Sequence, residues 1–247
     1  GGVAKTTTVI NIGAHLARNG ADVLIIDTDA QGNCATGLGV DKSQLELGTH
    51  TIFYSPEQTP KARVATILEN LHIIPSDQRL MDLDQKMTGQ MGRERRLEQA
   101  ISTIRKEYDI ILIDTPPSLG TATIGALTAS EGIIIPMQTE YFALEGLAAL
   151  TQTIRAVRRR LNPKLGIDAV LMTMHAPTKL NAEIANTLRE NFGRFLIEPP
   201  ISRNIAIAEA HAEGIPIHVH APNSKGGKEY SQVTQNLVLR WGLAGRF

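Results

Sequence analysis

The chain has 247 residues, with 25 lysines and arginines against 25 aspartates and glutamates, so its formal net charge is zero. This length is ample for a sizeable core, and 42% hydrophobic with 20% charged residues excludes a disordered or collagen-like chain. Cys34, the single cysteine, excludes an intramolecular disulfide framework, and the lack of an apolar run of about 18 residues excludes a membrane span.

Apolar runs that alternate with helical patterns predict an α/β fold, with a mostly parallel twisted sheet and helices on both faces. The predicted strands, in chain order, are Val23–Asp27, an edge strand at Leu71–Ile74, 109–114, 132–136 and 167–172. The predicted helices cover 7–19, 94–107, 121–130, 144–161, 180–192 and 228–241, with a short helical pattern near 61–70. No linker rich in Pro, Gly or Ser divides the chain, so we expect residues 1–247 to form a single domain.

The chain opens with a glycine-rich segment, Gly1-Gly2-Val3-Ala4-Lys5-Thr6-Thr7-Thr8, directly before a helical pattern. A phosphate-binding loop needs bare backbone N–H groups, a lysine for the phosphates and a hydroxyl for Mg²⁺. Here the glycines permit close approach, Lys5 supplies the charge and Thr6 supplies the hydroxyl, while the following helix adds its positive end. A glycine-rich turn that caps a helix is the simpler alternative.

Two predicted strands end on acidic residues. The first runs into Asp27-Thr28-Asp29-Ala30-Gln31-Gly32-Asn33, and a later one ends in Asp114-Thr115-Pro116-Pro117. Apolar residues that close on an aspartate are typical of a Walker-B strand, whose carboxylate holds the Mg²⁺ shell. Ligands of open α/β sheets gather at the carboxyl ends of strands. We therefore expect Lys5, Thr6, Asp29 and Asp114 to converge on one phosphate and metal site.

Taken together, these segments resemble the deviant-Walker ATPases of the ParA/Soj type, which are relatives of MinD and have a P-loop NTPase fold. The resemblance covers essentially the whole chain. It includes residues 1–8, 27–33, 114–120 and 140–146, and near the end residues 203–204, 208–210 and 221–222.

The resemblance implies an ATP-hydrolysing enzyme that requires Mg²⁺ and forms a homodimer when ATP is bound. It implies that Asp29 and Lys5 are catalytic and that Thr6, Asp29 and Asp114 serve the metal ion. The implied nucleotide-binding residues are Gly1, Gly2, Val3, Ala4, Lys5, Thr6, Thr7, Asn204 and Pro222.

Two family features are missing from the sequence before Gly1. A lysine normally precedes the first loop glycine and reaches the partner's phosphates, and a β-strand normally precedes the loop. We therefore expect a chain shortened at its N-terminus. Ala4 also replaces the glycine usual before the loop lysine. Alanine is tolerable there if φ stays negative, so we expect nucleotide binding to survive and turnover to change.

Non-specific DNA binding is the second activity that the resemblance implies, with a cytoplasmic, nucleoid-associated location. A ParB-like adaptor with a basic N-terminal peptide would stimulate hydrolysis. Arg203 and Lys179 are the candidate DNA-binding residues, and residues 151–247 carry 13 basic against 7 acidic side chains. The segment 175–179 lacks the family's arginine and Ala206 replaces a basic residue, which favours weakened affinity.

Other readings stay open. A MinD-like membrane-cycling ATPase needs a basic amphipathic C-terminal helix. Residues 232–247 contain only two cationic side chains, Arg240 and Arg246. This composition favours a helix that docks on the protein, with a frayed end and no stable membrane insertion. A P-loop metabolite synthase shares the loop, whereas a nitrogenase-reductase-like carrier is excluded because it needs two cluster cysteines.

Two further clusters are expected to be structural or solvated rather than functional. His218 and His220 have the spacing of metal ligands but no nearby acidic partner in sequence. The basic cluster, which comprises Arg155, Arg158, Arg159, Arg160 and Lys164, is expected to form a solvated helix end.

Overall fold

The structure of the protein is a computed structural model that describes residues 2–139 and 143–247, without the side chains of Gln44 and residues 143–148. Its strands are β1 (Val23–Asp27), β2 (Val64–Ala65), β3 (Leu71–Ile74), β4 (Ile110–Asp114), β5 (Gly132–Gln138), β6 (Gly166–Thr173) and β7 (Leu196–Ile197). Its α-helices are α1 (Lys5–Arg18), α2 (Asn33–Gly37), α3 (Thr49–Tyr54), α4 (Thr59–Ala62), α5 (Leu83–Lys86), α6 (Arg96–Ser102), α7 (Thr121–Ala129), α8 (Ala143–Arg160), α9 (Lys179–Phe192), α10 (Ile205–Ala212), α11 (Ile217–His220) and α12 (Lys225–Arg240). Short 3-10 helices cover Lys42–Gln44, Pro56–Gln58, Gln78–Leu80, Arg93–Arg95 and Arg105–Glu107.

The strands form two sheets that are almost entirely parallel. The first has the order β2-β3-β1-β4 and the second has the order β5-β6-β7. Only β2 is antiparallel, where it pairs with β3. The predicted α/β class with mostly parallel strands is confirmed, and every predicted strand is present within two residues of its expected ends.

Two predicted helices differ from the structure. The helix expected over 94–107 is confined to α6, and a 3-10 turn at each end interrupts it. The helical pattern near 61–70 is wrong, because α4 ends at Ala62 and Val64 pairs with Ile73 of β3. Pairing with a neighbouring strand therefore overrides local helical propensity at this edge.

Alternate residues of β1 enter cores on opposite faces of the first sheet. Ile25 belongs to a buried cluster that includes Leu16 of α1 and Leu237 of α12. Ile26 belongs to a second cluster, which includes Phe53 of α3. Helices thus cover both faces of the sheet, as the continuous apolar run of β1 predicts.

The two sheets do not join. Among the described strands, β4 pairs only with β1 and β5 only with β6. Between β4 and β5 lies a cavity of about 960 Å³, and its lining includes residues 110–113 and 132–136. Four of the five β4 residues are therefore only partly buried, whereas its neighbour β1 is fully buried.

The C-terminal helix α12 docks on the body of the protein, which confirms that prediction. Val233 and Leu237 are fully buried, and the Arg240 guanidinium donates hydrogen bonds to the Phe195 and Leu196 carbonyls. The prediction of a frayed end after this helix is wrong at Trp241. Its indole Nε1 donates a hydrogen bond to Asp168 Oδ2 at 2.8 Å, which fixes the side chain. In the described ranges, no helix combines the length and the hydropathy that a membrane span requires.

Candidate nucleotide and metal site

The glycine-rich loop lies at the carboxyl ends of the second sheet. Gln138, the last residue of β5, donates from Nε2 to the Gly2 carbonyl at 2.6 Å. Thr173, the last residue of β6, donates from Oγ1 to the Val3 carbonyl at 3.1 Å. Helix α1 begins at Lys5, so the loop opens into the positive end of a 14-residue helix.

Ala4 adopts a left-handed backbone, with φ 61° and ψ 33°. Alanine is tolerable at this position only if φ is negative, and the φ of Ala4 is positive. A side chain with a Cβ in this region costs about 1–2 kcal/mol. The loop keeps the geometry that suits glycine, although the sequence supplies alanine.

Thr6 and Asp114 are in direct contact. The Thr6 Oγ1 hydroxyl donates to Asp114 Oδ2 at 2.5 Å, which links the start of α1 to the end of β4. Asp114 is 1% exposed, and its second oxygen, Oδ1, is buried with no hydrogen-bond partner among the described residues. A buried carboxylate oxygen without a donor is a position that a cation can satisfy, and oxygen donors suit Mg²⁺.

Asp27 lies beside Asp114, because β1 and β4 are paired in parallel with these two residues opposite each other. Its carboxylate is fully buried and accepts hydrogen bonds from the backbone N–H groups of Asp29 and Cys34, both at 3.0 Å. Burial, reinforced by the charge of Asp114, raises the pKa of Asp27 to about 7. From the sequence alone, Asp27 is predicted only as the last residue of a strand and not as a site residue.

Cys34 also reaches this site, which the sequence did not predict. It is the second residue of α2, it is fully buried, and its Sγ donates to Asp114 Oδ2 at 3.4 Å. The ligand atoms of Asp27, Cys34 and Asp114 all lie within 4.8 Å of one another. Spacing along the chain gave no signal for this cluster, because the strand pairing of β1 and β4 creates it.

Asp29 and Lys5 flank the carboxylates, and among the described residues their side chains make no hydrogen bond to Asp27 or Asp114. Asp29 Oδ1 accepts from the Gln31 backbone N–H at 3.1 Å, which fixes the turn after β1. Burial raises the pKa of Asp114, the charge of Asp29 adds to this effect, and the charge of Lys5 opposes it. The structure therefore brings Lys5, Thr6, Asp29 and Asp114 to one end of β1 and β4.

Asn204 and Pro222 belong to the segment between β7 and α12. Asn204 caps α10, with its Oδ1 accepting from the Ala206 N–H at 2.9 Å, and Pro222 lies shortly before α12. Within the described part of the chain, neither residue makes a hydrogen bond to the loop. Gly1 and residues 140–142 of the segment 140–146 lie outside the described residues, and no side chain is described for 143–146.

The two candidate DNA-binding residues lie on segments that meet at His175. Arg203 donates from its backbone N–H to the His175 carbonyl at 3.2 Å, and Lys179 begins α9 four residues after His175. Both side chains are exposed. All five residues of the basic cluster are exposed as well, as expected for a solvated helix end.

The histidines of α11 differ from each other. His218 is buried against His15 with ring centroids 6.3 Å apart, which agrees with a structural role. His220 Nδ1 lies 3.0 Å from Glu213 Oε2, and its Nε2 lies 3.8 Å from Glu209 Oε2. The expected lack of an acidic partner is therefore wrong for His220, because α10 brings both glutamates to it.

Comparison with known proteins identifies relatives along nearly the whole chain. The family profile described as AAA domain matches residues 1–167. The sporulation initiation inhibitor protein Soj of Bacillus subtilis is 40% identical over 239 residues, which cover 96% of this chain and 94% of that protein. The chromosome partitioning protein ParA of Caulobacter vibrioides is 37% identical, covering 97% of this chain and 91% of that protein.

A solved structure has the same fold. The cobyrinic acid a,c-diamide synthase of Mycobacterium smegmatis, with a bound ATP analogue and magnesium, superposes with a TM-score of 0.84 at 30% identity. The match covers 98% of this chain and 92% of that chain. Together with the loop and the paired aspartates, these similarities show that the chain belongs to the ParA/Soj family of partitioning ATPases.

Proposed function

We propose that this protein binds ATP with Mg²⁺ at the glycine-rich loop, hydrolyses it, and thereby switches a homodimer that moves DNA or another cargo. The contact between Thr6 and Asp114 carries this proposal. The positive end of α1 favours phosphate, while the buried Asp114 Oδ1, which has no hydrogen-bond partner among the described residues, favours a hard cation.

The positions of the side chains support a division of roles. Lys5 neutralises phosphate charge, and Asp29, fixed in the turn after β1, orients the attacking water. Thr6 and Asp114 would hold Mg²⁺, which when bound neutralises charge on the phosphates. Asn204 and Pro222 complete the nucleotide contacts from the segment between β7 and α12.

The assignment of Asp29 is tested by substitution. Asp29→Ala is expected to keep its affinity for MgATP within about threefold and to lose at least about 100-fold in kcat, because water positioning fails while the phosphate contacts remain. Nucleotide binding is measured by fluorescence titration and turnover by phosphate release. Asp82→Ala removes an exposed carboxylate and serves as the control. Parental turnover in Asp29→Ala would remove Asp29 from the catalytic residues.

We further propose that the ATP-bound dimer binds DNA without sequence preference, through a surface that includes Arg203 and Lys179. The exposure of both side chains supports this surface, as does the bond from the Arg203 N–H to His175, four residues before Lys179. The family relationship supports a ParB-like adaptor and an association with the nucleoid.

The DNA surface is tested by retention on DNA across a salt series, with ATP, with ADP and without nucleotide. Parental protein is expected to bind only with ATP and to lose affinity steeply as salt rises. The double substitution of Arg203→Ala and Lys179→Ala is expected to reduce the salt slope by about 1 per lost phosphate contact. Arg158→Ala with Arg159→Ala, in the basic cluster, is the matched control. An unchanged salt slope in the variant with Arg203→Ala and Lys179→Ala would show that DNA binds to another surface.

Two alternatives give distinguishable results. The likeness to a cobyrinic acid a,c-diamide synthase favours a metabolite synthase as the second candidate function. A synthase would show negligible ATP hydrolysis until its metabolite is added, whereas the proposed switch hydrolyses ATP without a metabolite.

Retention on anionic liposomes instead of DNA would favour membrane cycling. The docking of α12 on the body of the protein opposes this alternative.

A further inference from the structure

Cys34 shares its site with two acidic side chains, and this combination goes beyond what Mg²⁺ binding requires. Asp27, Cys34 and Asp114 are each at most 1% exposed. The Cys34 thiol donates to Asp114 Oδ2, and the other oxygen of that carboxylate has no partner within the ranges that the structure describes. Three potential ligands from three separate segments therefore surround one buried position.

The chemistry of these ligands selects a class of cation. Mg²⁺ prefers oxygen ligands in octahedral geometry, and a thiol contributes nothing to that preference. Zn²⁺, Cd²⁺ and Co²⁺ combine thiolate with carboxylate ligands, at bond lengths of about 2.0–2.3 Å. Ligand atoms within 4.8 Å of one another need only a small side-chain adjustment to reach such an ion.

Charge favours a divalent cation at the same position. The carboxylates of Asp27 and Asp114 lie side by side out of contact with solvent, and in the described part of the chain only backbone N–H groups, the Thr6 hydroxyl and the thiol donate to them. Two like charges in a buried site repel each other strongly. An ion that bonds to both carboxylates removes this repulsion.

We infer that Asp27, Cys34 and Asp114 form a site for one thiophilic divalent cation such as Zn²⁺, Cd²⁺ or Co²⁺. Binding forms a metal–sulfur bond and releases to solvent the thiol proton and any proton that the carboxyl groups of Asp27 and Asp114 hold. Because Asp114 also contacts Thr6, an ion in this site occupies the carboxylate proposed for Mg²⁺. The site therefore makes the protein sensitive to thiophilic metals in a way that a chain without this cysteine is not.

The experiment is a titration of nucleotide-free protein with Co²⁺, followed by absorption. We expect one equivalent to produce a thiolate-to-cobalt charge-transfer band in the near ultraviolet, with at least one proton released per ion. Zn²⁺ should displace Co²⁺ and remove the band, whereas Mg²⁺ should not produce it. Cys34→Ser should lose the band and bind Zn²⁺ at least about tenfold more weakly.

Two controls keep the result interpretable. His220→Gln removes the half-buried histidine beside Glu209 and Glu213, which is a competing site for the metal, and should keep the band. Cys34→Ala and the melting temperature of each variant report whether loss of binding reflects loss of folding. Co²⁺ binding without a charge-transfer band, or equal Zn²⁺ affinity in parent and folded Cys34→Ser, would overturn the inference. Neither readout involves ATP, so failure here is separate from failure of the proposed ATPase.

Discussion

At the scale of single residues, the loop motif identified Lys5 and Thr6 correctly as neighbours of Asp114, because a short motif encodes local geometry. It did not identify Asp27 or Cys34. Their position depends on the parallel pairing that sets Asp27 opposite Asp114 and on the turn that carries α2 back over β1. Contacts between residues 80 apart in the chain, such as Cys34 and Asp114, leave no periodic pattern in the sequence.

Ala4 gives a direct test at this scale. Ala4→Gly is expected to raise the free energy of unfolding by about 1 kcal/mol, because glycine adopts φ 61° without the cost that a Cβ imposes. Ala182, an exposed residue inside α9, has ordinary helical geometry, so Ala182→Gly should lower stability by about 1 kcal/mol. Urea unfolding of both variants measures the two changes. Destabilisation of similar size in both would contradict the strain assigned to Ala4.

At the scale of elements, helical periodicity located the long helices because each of them buries one face. It failed over 61–70, where pairing with β3 is decisive, and it missed the short helices α10 and α11. Helix α11 matters because it packs against α1. The Ile217 N–H donates to Asn11 Oδ1 at 2.8 Å, and the ring of His218 meets that of His15.

This contact predicts a loss of stability in acid. Burial, with the charges of His15 and Arg18, lowers the pKa of His218 to about 4. Because the unfolded chain binds a proton near the usual histidine pKa while the folded chain does not, stability is full above about pH 6.5 and falls as pH decreases towards 4. The expected loss from His218 at pH 4.5 is about 2–3 kcal/mol.

Urea unfolding at pH 7.5 and 4.5 measures this effect. His218→Leu removes the titrating ring, so the difference in stability between the two pH values should be smaller than in the parent. The difference in unfolding free energy between parent and variant at pH 7.5 gives the cost of the substitution itself. An equal pH dependence in both proteins would exclude His218 as a source of the acid sensitivity.

At the scale of the whole molecule, the division into two sheets is the dominant feature. The apolar residues of β4 and β5 line a cavity of about 960 Å³, and both strands leave one edge unpaired among the described strands. A strand of five or six residues, rising about 3.3 Å per residue, would span β4 and supply hydrogen bonds to both edges. The loop begins at the carboxyl end of this gap, as the bond from Gln138 to Gly2 shows.

This geometry predicts that adding an apolar β-branched strand directly before Gly1 stabilises the protein. The melting temperature is expected to rise by at least about 5 °C, because the strand buries apolar surface and pairs two open edges. An extension of equal length with proline at alternate positions cannot pair and is the matched control. Equal melting temperatures for the two extensions would show that the gap does not accept a strand.

The sequence by itself determined the α/β class, most strand positions, the phosphate loop and the family, because these depend on local periodicity and on contiguous motifs. Only the tertiary structure decided that Thr6 meets Asp114, that Asp27 and Cys34 complete a buried cluster, and that Ala4 takes a left-handed backbone. These features arise from the register in which β1 and β4 pair and from the turns that bring α1 and α2 to the ends of these strands. Both bring distant residues together through packing that no short stretch of sequence encodes.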